Sequence, residues 1–169
     1  MAIIKHIKSH NSNYSDALEY LMYQHDEKSN KAILDEYGRK LLREEFYMDG
    51  LNCDPETFDI ECMETNAHFK KNRKKEELKS HHYIISFDPA DATECGLTGE
   101  KAQALCLEYA RQNFPGYQAL VVTHTDGHNE SGNIHTHIVI NFFYKNTQYV
   151  IHSFSPILDK IKIMDQGRK

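Results

Sequence analysis

The stretch Ile134-His135-Thr136-His137-Ile138-Val139-Ile140-Asn141-Phe142-Phe143 decides how the rest of the chain is read. It contains no glycine or proline and is rich in β-branched and aromatic side chains, which predicts a strand. Successive side chains of a strand point to opposite faces. Ile134, Thr136, Ile138, Ile140 and Phe142 therefore form one row, and His135, His137, Val139 and Asn141 the other. The first row is a core face. The second sets two imidazoles side by side.

Working outward, Gln118 to Thr125 predicts a neighbouring strand, and the segment from Asp126 to Asn133 holds Asp-Gly and Ser-Gly breaks. The two strands read as an antiparallel hairpin with a long loop. The hairpin returns His124 to the end of the sheet that carries His135. Lys101 to Phe114, opened by Thr98 and stopped by Pro115 and Gly116, is the clearest helix. His81 to Phe87 is a strand bounded by Asp88 and Pro89, and Ala2 to Lys8 is another. After a turn at Asn11, Ser12 and Asn13, the residues Ala17, Leu18, Leu21 and Met22 recur at helical spacing from Ser15 to about His25. At roughly 100° per residue, Tyr20 falls on the flank of that apolar stripe and Tyr23 nearly opposite it. Residues 26–50 are polar and lack a clear period, so an irregular or hairpin insertion is expected. Pro55 opens a second helix carrying Phe58, Ile60, Cys62, Met63 and Ala67, and Gln148 to His152 is a final strand. The order predicts an α+β fold, a central antiparallel sheet with helices packed against it in two or three layers. Residues 1–155 are expected to form that domain. Residues 156–169 read as a C-terminal extension, the start of a linker in a larger protein trimmed to its first domain.

The chain has 169 residues, 40% hydrophobic and 27% charged, enough for one ordinary domain. Its longest apolar runs fall well short of the ~18 residues that span a bilayer. Residues 1–10 lack a secretory apolar region, so a cytoplasmic protein without membrane insertion is expected. Cys53, Cys62, Cys95 and Cys106 form no C-x-x-C pair and read as reduced packing residues. A net charge of −5 opposes phosphate binding on average. Locally, however, Lys70, Lys71, Arg73, Lys74, Lys75 and Lys79 face only Glu76 and Glu77, a basic run able to track a phosphate backbone.

Four of the eleven histidines, His124, His128, His135 and His137, lie within fourteen residues. An isolated His-x-His on a strand is usually a polar edge. With His124, Asp126 and Asn141 added, the pattern reads as a site in which three neutral imidazoles converge on a divalent cation. A three-histidine set with open positions suits catalysis rather than structure. Asp126 is placed to accept a ring N–H from His124 and fix its tautomer, and His128 is the rival third ligand. His81 or His82 is expected to approach the same sheet. Two chemistries fit: a cation-activated water, or attack on a phosphodiester by a protein hydroxyl. The second needs a phenol on an element facing the site, and Tyr20 on the helix flank supplies one.

His124-Thr-Asp126 followed by Asn133-Ile-His135-Thr-His137-Ile-Val-Ile-Asn141 resembles the third motif of conjugative relaxases, in the relaxase/mobilisation nuclease branch of the HUH endonucleases. Ala17-Leu18-Glu19-Tyr20-Leu21 looks like the first motif, which carries the nucleophilic tyrosine. Ser80 to Phe87 looks like the strand preceding the metal motif. The opening residues and motif order are similar to relaxases of integrative conjugative elements of Gram-positive bacteria. The gap from His124 to His135 is longer than is usual in that family, which leaves His124 and His128 as alternatives, with His-x-Asp favouring His124. Tyr14 and Tyr23 lie near Tyr20, where the match falls.

The resemblance implies nicking of one strand at an origin of transfer. Tyr20 would attack the scissile phosphate to leave a 5′ phosphotyrosyl link and a free 3′ hydroxyl, with the cation on His124, His135 and His137. It implies Mn²⁺ or Mg²⁺ in preference to Zn²⁺, Co²⁺ or Ni²⁺. The implied partners are single-stranded or hairpin origin DNA, accessory relaxosome proteins and a coupling protein. A rolling-circle replication initiator or transposase of the same superfamily is the near alternative. A metallohydrolase using bound water, or a DNA-binding module without catalysis, is the distant one.

Overall fold

A computed structural model of the protein describes residues 2–26, 29, 31–126 and 133–144, with side chains as far as Asn141. The elements in chain order are β1 (Ile3–Ser9), α1 (Tyr14–Met22), β2 (Phe46–Leu51), α2 (Phe58–His68), β3 (Ser80–Ser86), α3 (Pro89–Thr93), α4 (Gly99–Asn113), β4 (Tyr117–His124) and β5 (His135–Tyr144). His128, the expected strand from Gln148 to His152, the boundary near residue 155 and the 156–169 extension lie outside the described residues.

Helix starts follow their capping residues. Asn13 accepts from the Ser15 N–H to open α1, and Thr98 accepts from the Lys101 N–H to open α4. Asp88 and Asp91 form a reciprocal capping box around Pro89 at the start of α3, a short helix where the sequence alone predicts only the boundary of a strand.

The five strands form one antiparallel sheet in the order β1-β3-β5-β4-β2. The hairpin read from sequence is present as β4 and β5, which pair His124 with His135 and Val122 with His137. Residues 26–50 require a correction, because their last part is β2, an edge strand that pairs Phe46 with His124 and Leu51 with Ala119. Asp49 and Gly50 are poor strand formers in isolation, and the ladder offered by β4 overrides them. Before β2, isolated bridges join Tyr23 to Leu42, His25 to Ala32 and Leu34 to Lys40. The insertion thus runs out and back to the end of α1.

The sheet carries helices on both faces, giving three layers. On one face Cys106, Leu107, Ala110 and Phe114, from α4 and the residue after it, pack against Ala119, Val121, Ile138 and Ile140. On the other, Tyr14 and Leu21 of α1 with Phe58 and Cys62 of α2 cover Leu120, Val122 and Val139. Each fully buried Ile, Leu or Phe contributes ~1.5–3 kcal/mol of transfer free energy. Of the four cysteines, Cys62 and Cys106 are buried, Cys53 is half-buried and Cys95 exposed. Among the described residues, no helix is long and apolar enough to cross a membrane.

Candidate functional site

The alternation of β5 puts His135 and His137 on the α1/α2 face, and the register with β4 adds His124 beside them. One nitrogen from each ring lies within 4.8 Å of the other two. His124 Nδ1 and His135 Nε2 are 3.3 Å apart, close to the ~3.0–3.4 Å that separates two ligands of one cation with ~2.1 Å bonds.

Neighbouring groups fix which nitrogen each ring presents. The last carbonyls of a helix have no intrahelical partner, and one of them, Leu21 O of α1, accepts from His124 Nε2 at 2.8 Å. A carbonyl can only accept, so the His124 proton sits on Nε2 and Nδ1 keeps its lone pair. Likewise His135 Nδ1 donates to Asn133 O at 3.2 Å, which frees Nε2. His137 Nδ1 lies 2.8 Å from His82 Nε2 of β3. With His137 donating there, its Nε2 turns to the cluster, so His82 is the member of the His81-His82 pair that reaches the site.

Burial keeps His82, His124 and His137 neutral. It lowers His124 to about 4, with the Arg43 guanidinium acting in the same direction. His82 is lowered to about 4, first by burial and then by Lys5. His137 is held well below its ordinary value by burial and by the histidines around it. Neutral rings with inward lone pairs are the state a cation requires, so the residues present fit a divalent metal.

Tyr20 and Tyr14 stand on the same helix in opposite circumstances. The Tyr20 side of α1 is open, at 39% exposure. Its ring meets His137 edge to face at 6.3 Å between centroids and His25 at 5.2 Å. Tyr14 is 3% exposed, and its hydroxyl sits among Lys79 O, Asn141 Oδ1, Asn66 Nδ2 and Asn72 Nδ2 at 2.8 to 3.2 Å. Burial raises its pKa far beyond the ordinary phenol value. Tyr23 is the C-cap residue of α1. Asn141 shares the histidine face but is taken up by Tyr14 and by Gln118.

Asp126 does not meet its expected partner. His124 Nε2 is held by Leu21 O, and the Asp126 carboxylate instead accepts from Arg43 Nη1 at 2.6 Å. The Arg43 side chain is 6% exposed and that of Asp126 43%. The insertion delivers Arg43 here, since its backbone N–H bonds to Met22 O, one residue beyond the carbonyl that holds His124. Arg43 Nε is buried and has no hydrogen-bond partner among the described residues. Nothing in the local sequence singles out this arginine, which stands 83 residues from Asp126.

The basic run divides. Lys70, Lys71, Arg73, Lys74 and Lys75 are exposed on the connection between α2 and β3. Lys79 is 2% exposed, with its ammonium on Lys74 O and near Glu77, so it braces that connection from within. The connection enters β3 at Ser80, four residues before the Ile84 that pairs with His137, a distance of ~13 Å along a strand. Between them lies a groove of about 410 Å³ along β1, β3 and α1, lined by Lys5, Ile7, Tyr20, Ser80, His82 and Ile84 among others.

Residues 33–165 match the family described as the MobA/VirD2-like relaxase nuclease domain. That span contains the three histidines, Arg43 and the basic run, and begins after Tyr20. The chain is 33% identical over 105 residues to Protein rlx of Staphylococcus aureus. The alignment takes in 62% of this chain and 29% of that relative, so the chain spans a minor part of its length. No solved structure matches the chain. With the family match extending over more than half of the residues and through the whole histidine cluster, the chain belongs to the MobA/VirD2-like relaxase nuclease domain family.

Proposed function

We propose that this chain is the strand-nicking domain of a DNA relaxase, with Tyr20 as nucleophile. The observation that carries the reading is the exposed phenol of Tyr20 set against His137, in a cluster of three converging imidazoles. Tyr20 Oη attacks the scissile phosphorus in line, the P–O3′ bond breaks, and the ester passes to tyrosine as a 5′ phosphotyrosyl link. The phenol proton leaves to solvent, and the departing 3′ oxygen takes one up. Reversal by that hydroxyl rejoins the strand without ATP. A divalent cation on His124, His135 and His137, Mn²⁺ or Mg²⁺ ahead of Zn²⁺, Co²⁺ or Ni²⁺, would supply positive charge to the phosphoryl oxygens. Leu21 O, Asn133 O and His82 hold the three rings in the tautomers that serve it.

The groove along β1, β3 and α1 accounts for substrate form. It runs from Ser80 at the start of β3 to Tyr20, and its Ile7 and Ile84 offer apolar contact to bases while Lys5 meets a phosphate. A stacked duplex does not thread such a groove, so the substrate is single-stranded or extruded hairpin DNA at an origin of transfer. Accessory relaxosome proteins and a coupling protein are the expected partners.

The test is to incubate the chain with Mn²⁺ and labelled single-stranded oligonucleotides. A denaturation-resistant adduct that vanishes in Tyr20→Phe and persists in Tyr14→Phe and Tyr23→Phe supports the reading. Turnover without any adduct would instead make this a hydrolase using bound water.

A further inference from the structure

The pair of buried Arg43 and exposed Asp126 is not used by the cation site or by the nucleophile, and its geometry asks for a ligand. Arg43 is anchored twice, by its N–H on Met22 O at 3.0 Å and by Nη1 on Asp126 at 2.6 Å. The first bond fixes the backbone and the second takes up Nη1 of the guanidinium. The rest of the group includes Nε, buried and without an acceptor among the described residues. The helix end that supplies Met22 O also supplies Leu21 O to His124, so Arg43 and the imidazole cluster are positioned by consecutive carbonyls of α1. Arginine presents two parallel N–H groups in a fixed plane, a shape that fits two oxygens of a phosphoryl group. Its field reaches both His124 and His137.

We infer that Arg43, held in place by Asp126, binds a non-bridging oxygen of the scissile phosphate and stabilises the charge that gathers there as Tyr20 attacks. The inference rests on the relaxase reading above. While the Tyr20 Oη–P bond forms and the P–O3′ bond breaks, the non-bridging oxygens carry the added negative charge. Arg43 donates hydrogen bonds to one of them and transfers no proton. Asp126 is then a positioning residue for arginine, not for His124, which explains why the carboxylate two residues after the first histidine turns away from the ring.

The discriminating experiment compares two substrates. One is a labelled oligonucleotide selected for cleavage from a random single-stranded pool. The other is the same strand with a methylphosphonate at the scissile position, where one charged oxygen is replaced by a methyl group. Adduct formation on the ordinary phosphate should fall about 10²–10³-fold in Arg43→Ala, the scale of losing one transition-state donor. On the methylphosphonate the same substitution should cost less than about fivefold, because there is little charge left to stabilise. Asp126→Asn should show the same selectivity with a loss of about tenfold. Arg43→Lys, which keeps the charge and loses the planar fork, should fall between wild type and alanine, and it serves as the reading if Arg43→Ala does not fold. Equal losses on both substrates would mean that Arg43 only supports the fold, and would overturn the inference while leaving the relaxase reading intact. A wild-type chain that forms no Tyr20 adduct overturns both.

Discussion

The two faces of the sheet are made from the same five strands and obey different rules. Against α4, the strands present Ala119, Val121, Ile138 and Ile140 to Phe114 and Leu107, and apolar packing dominates, with Thr123 and Thr136 bonded to each other and Thr123 to Gln103 of α4. Against α1 and α2, the alternate residues of β4 and β5 include His124, His137 and Asn141, all buried as well. There the partners of the polar side chains can be given by name: Leu21 O for His124, His82 for His137, Tyr14 and Gln118 for Asn141. The apolar face tolerates volume-conserving change. The polar face does not, since a buried group that loses its partner bears its full desolvation penalty. The lesson is that one face supplies cohesion, which allows the other to hold neutral imidazoles in fixed tautomers.

The sharpest way to break this comparison is to substitute adjacent residues of β5. His137→Ala should weaken Mn²⁺ binding by more than about 100-fold in titration calorimetry, since it removes a ligand outright. Ile138→Ala should instead lower stability by ~2–5 kcal/mol in urea unfolding while Mn²⁺ affinity of the folded protein stays within a few-fold. If both substitutions damaged both properties equally, the division between faces would be wrong.

A smaller effect is expected one layer out. His82→Phe keeps the ring volume but cannot accept from His137 Nδ1, so cation affinity should drop ~10–100-fold with a modest change in stability. An unchanged affinity would show that His137 needs no partner to hold its tautomer.

Acid should act on stability through the same rings. His81, His82 and His124 are lowered to about 4, in each case mainly by burial. In the unfolded chain they titrate near ~6.5. A histidine with a depressed folded pKa contributes its stability fully above the unfolded value, and that contribution is lost as pH falls from there towards the folded value. The melting temperature of the metal-free chain should therefore decline between about pH 6.5 and pH 4. A flat profile across that window would mean that the rings are solvated.

The smallest predicted effect concerns the surface. Lys70→Ala and Lys71→Ala should each reduce the slope of log affinity against log salt for a single-stranded oligonucleotide by about 0.7, without altering adduct formation at saturation. Lys79→Ala should behave differently, lowering stability because its ammonium bonds to Lys74 O inside the fold.

Much of this could be read before any coordinates. Period-two alternation placed His135 and His137 on one face and Ile138 and Ile140 on the other, and the hairpin brought His124 alongside. The flank position of Tyr20 followed from a period of 3.6. The strand β2 escaped because Asp49 and Gly50 hide its alternation, and it exists through its partner. Lys79 is indistinguishable in sequence from the exposed cations, because a run of charges carries no sign of which member turns inward.

What the sequence determined by itself is local: the faces of β5, the return of β4, the capped helices and the crowding of histidines in one hairpin. Tertiary packing alone decided that His82 steadies His137 across 55 residues, that Leu21 O selects the tautomer of His124 across 103, and that Asp126 serves Arg43 rather than its neighbour. It also decided which tyrosine of α1 is engulfed and which is left open. The physical reason is that periodicity fixes the direction of a side chain relative to its own backbone, whereas a hydrogen-bond partner depends on which remote segment is packed there.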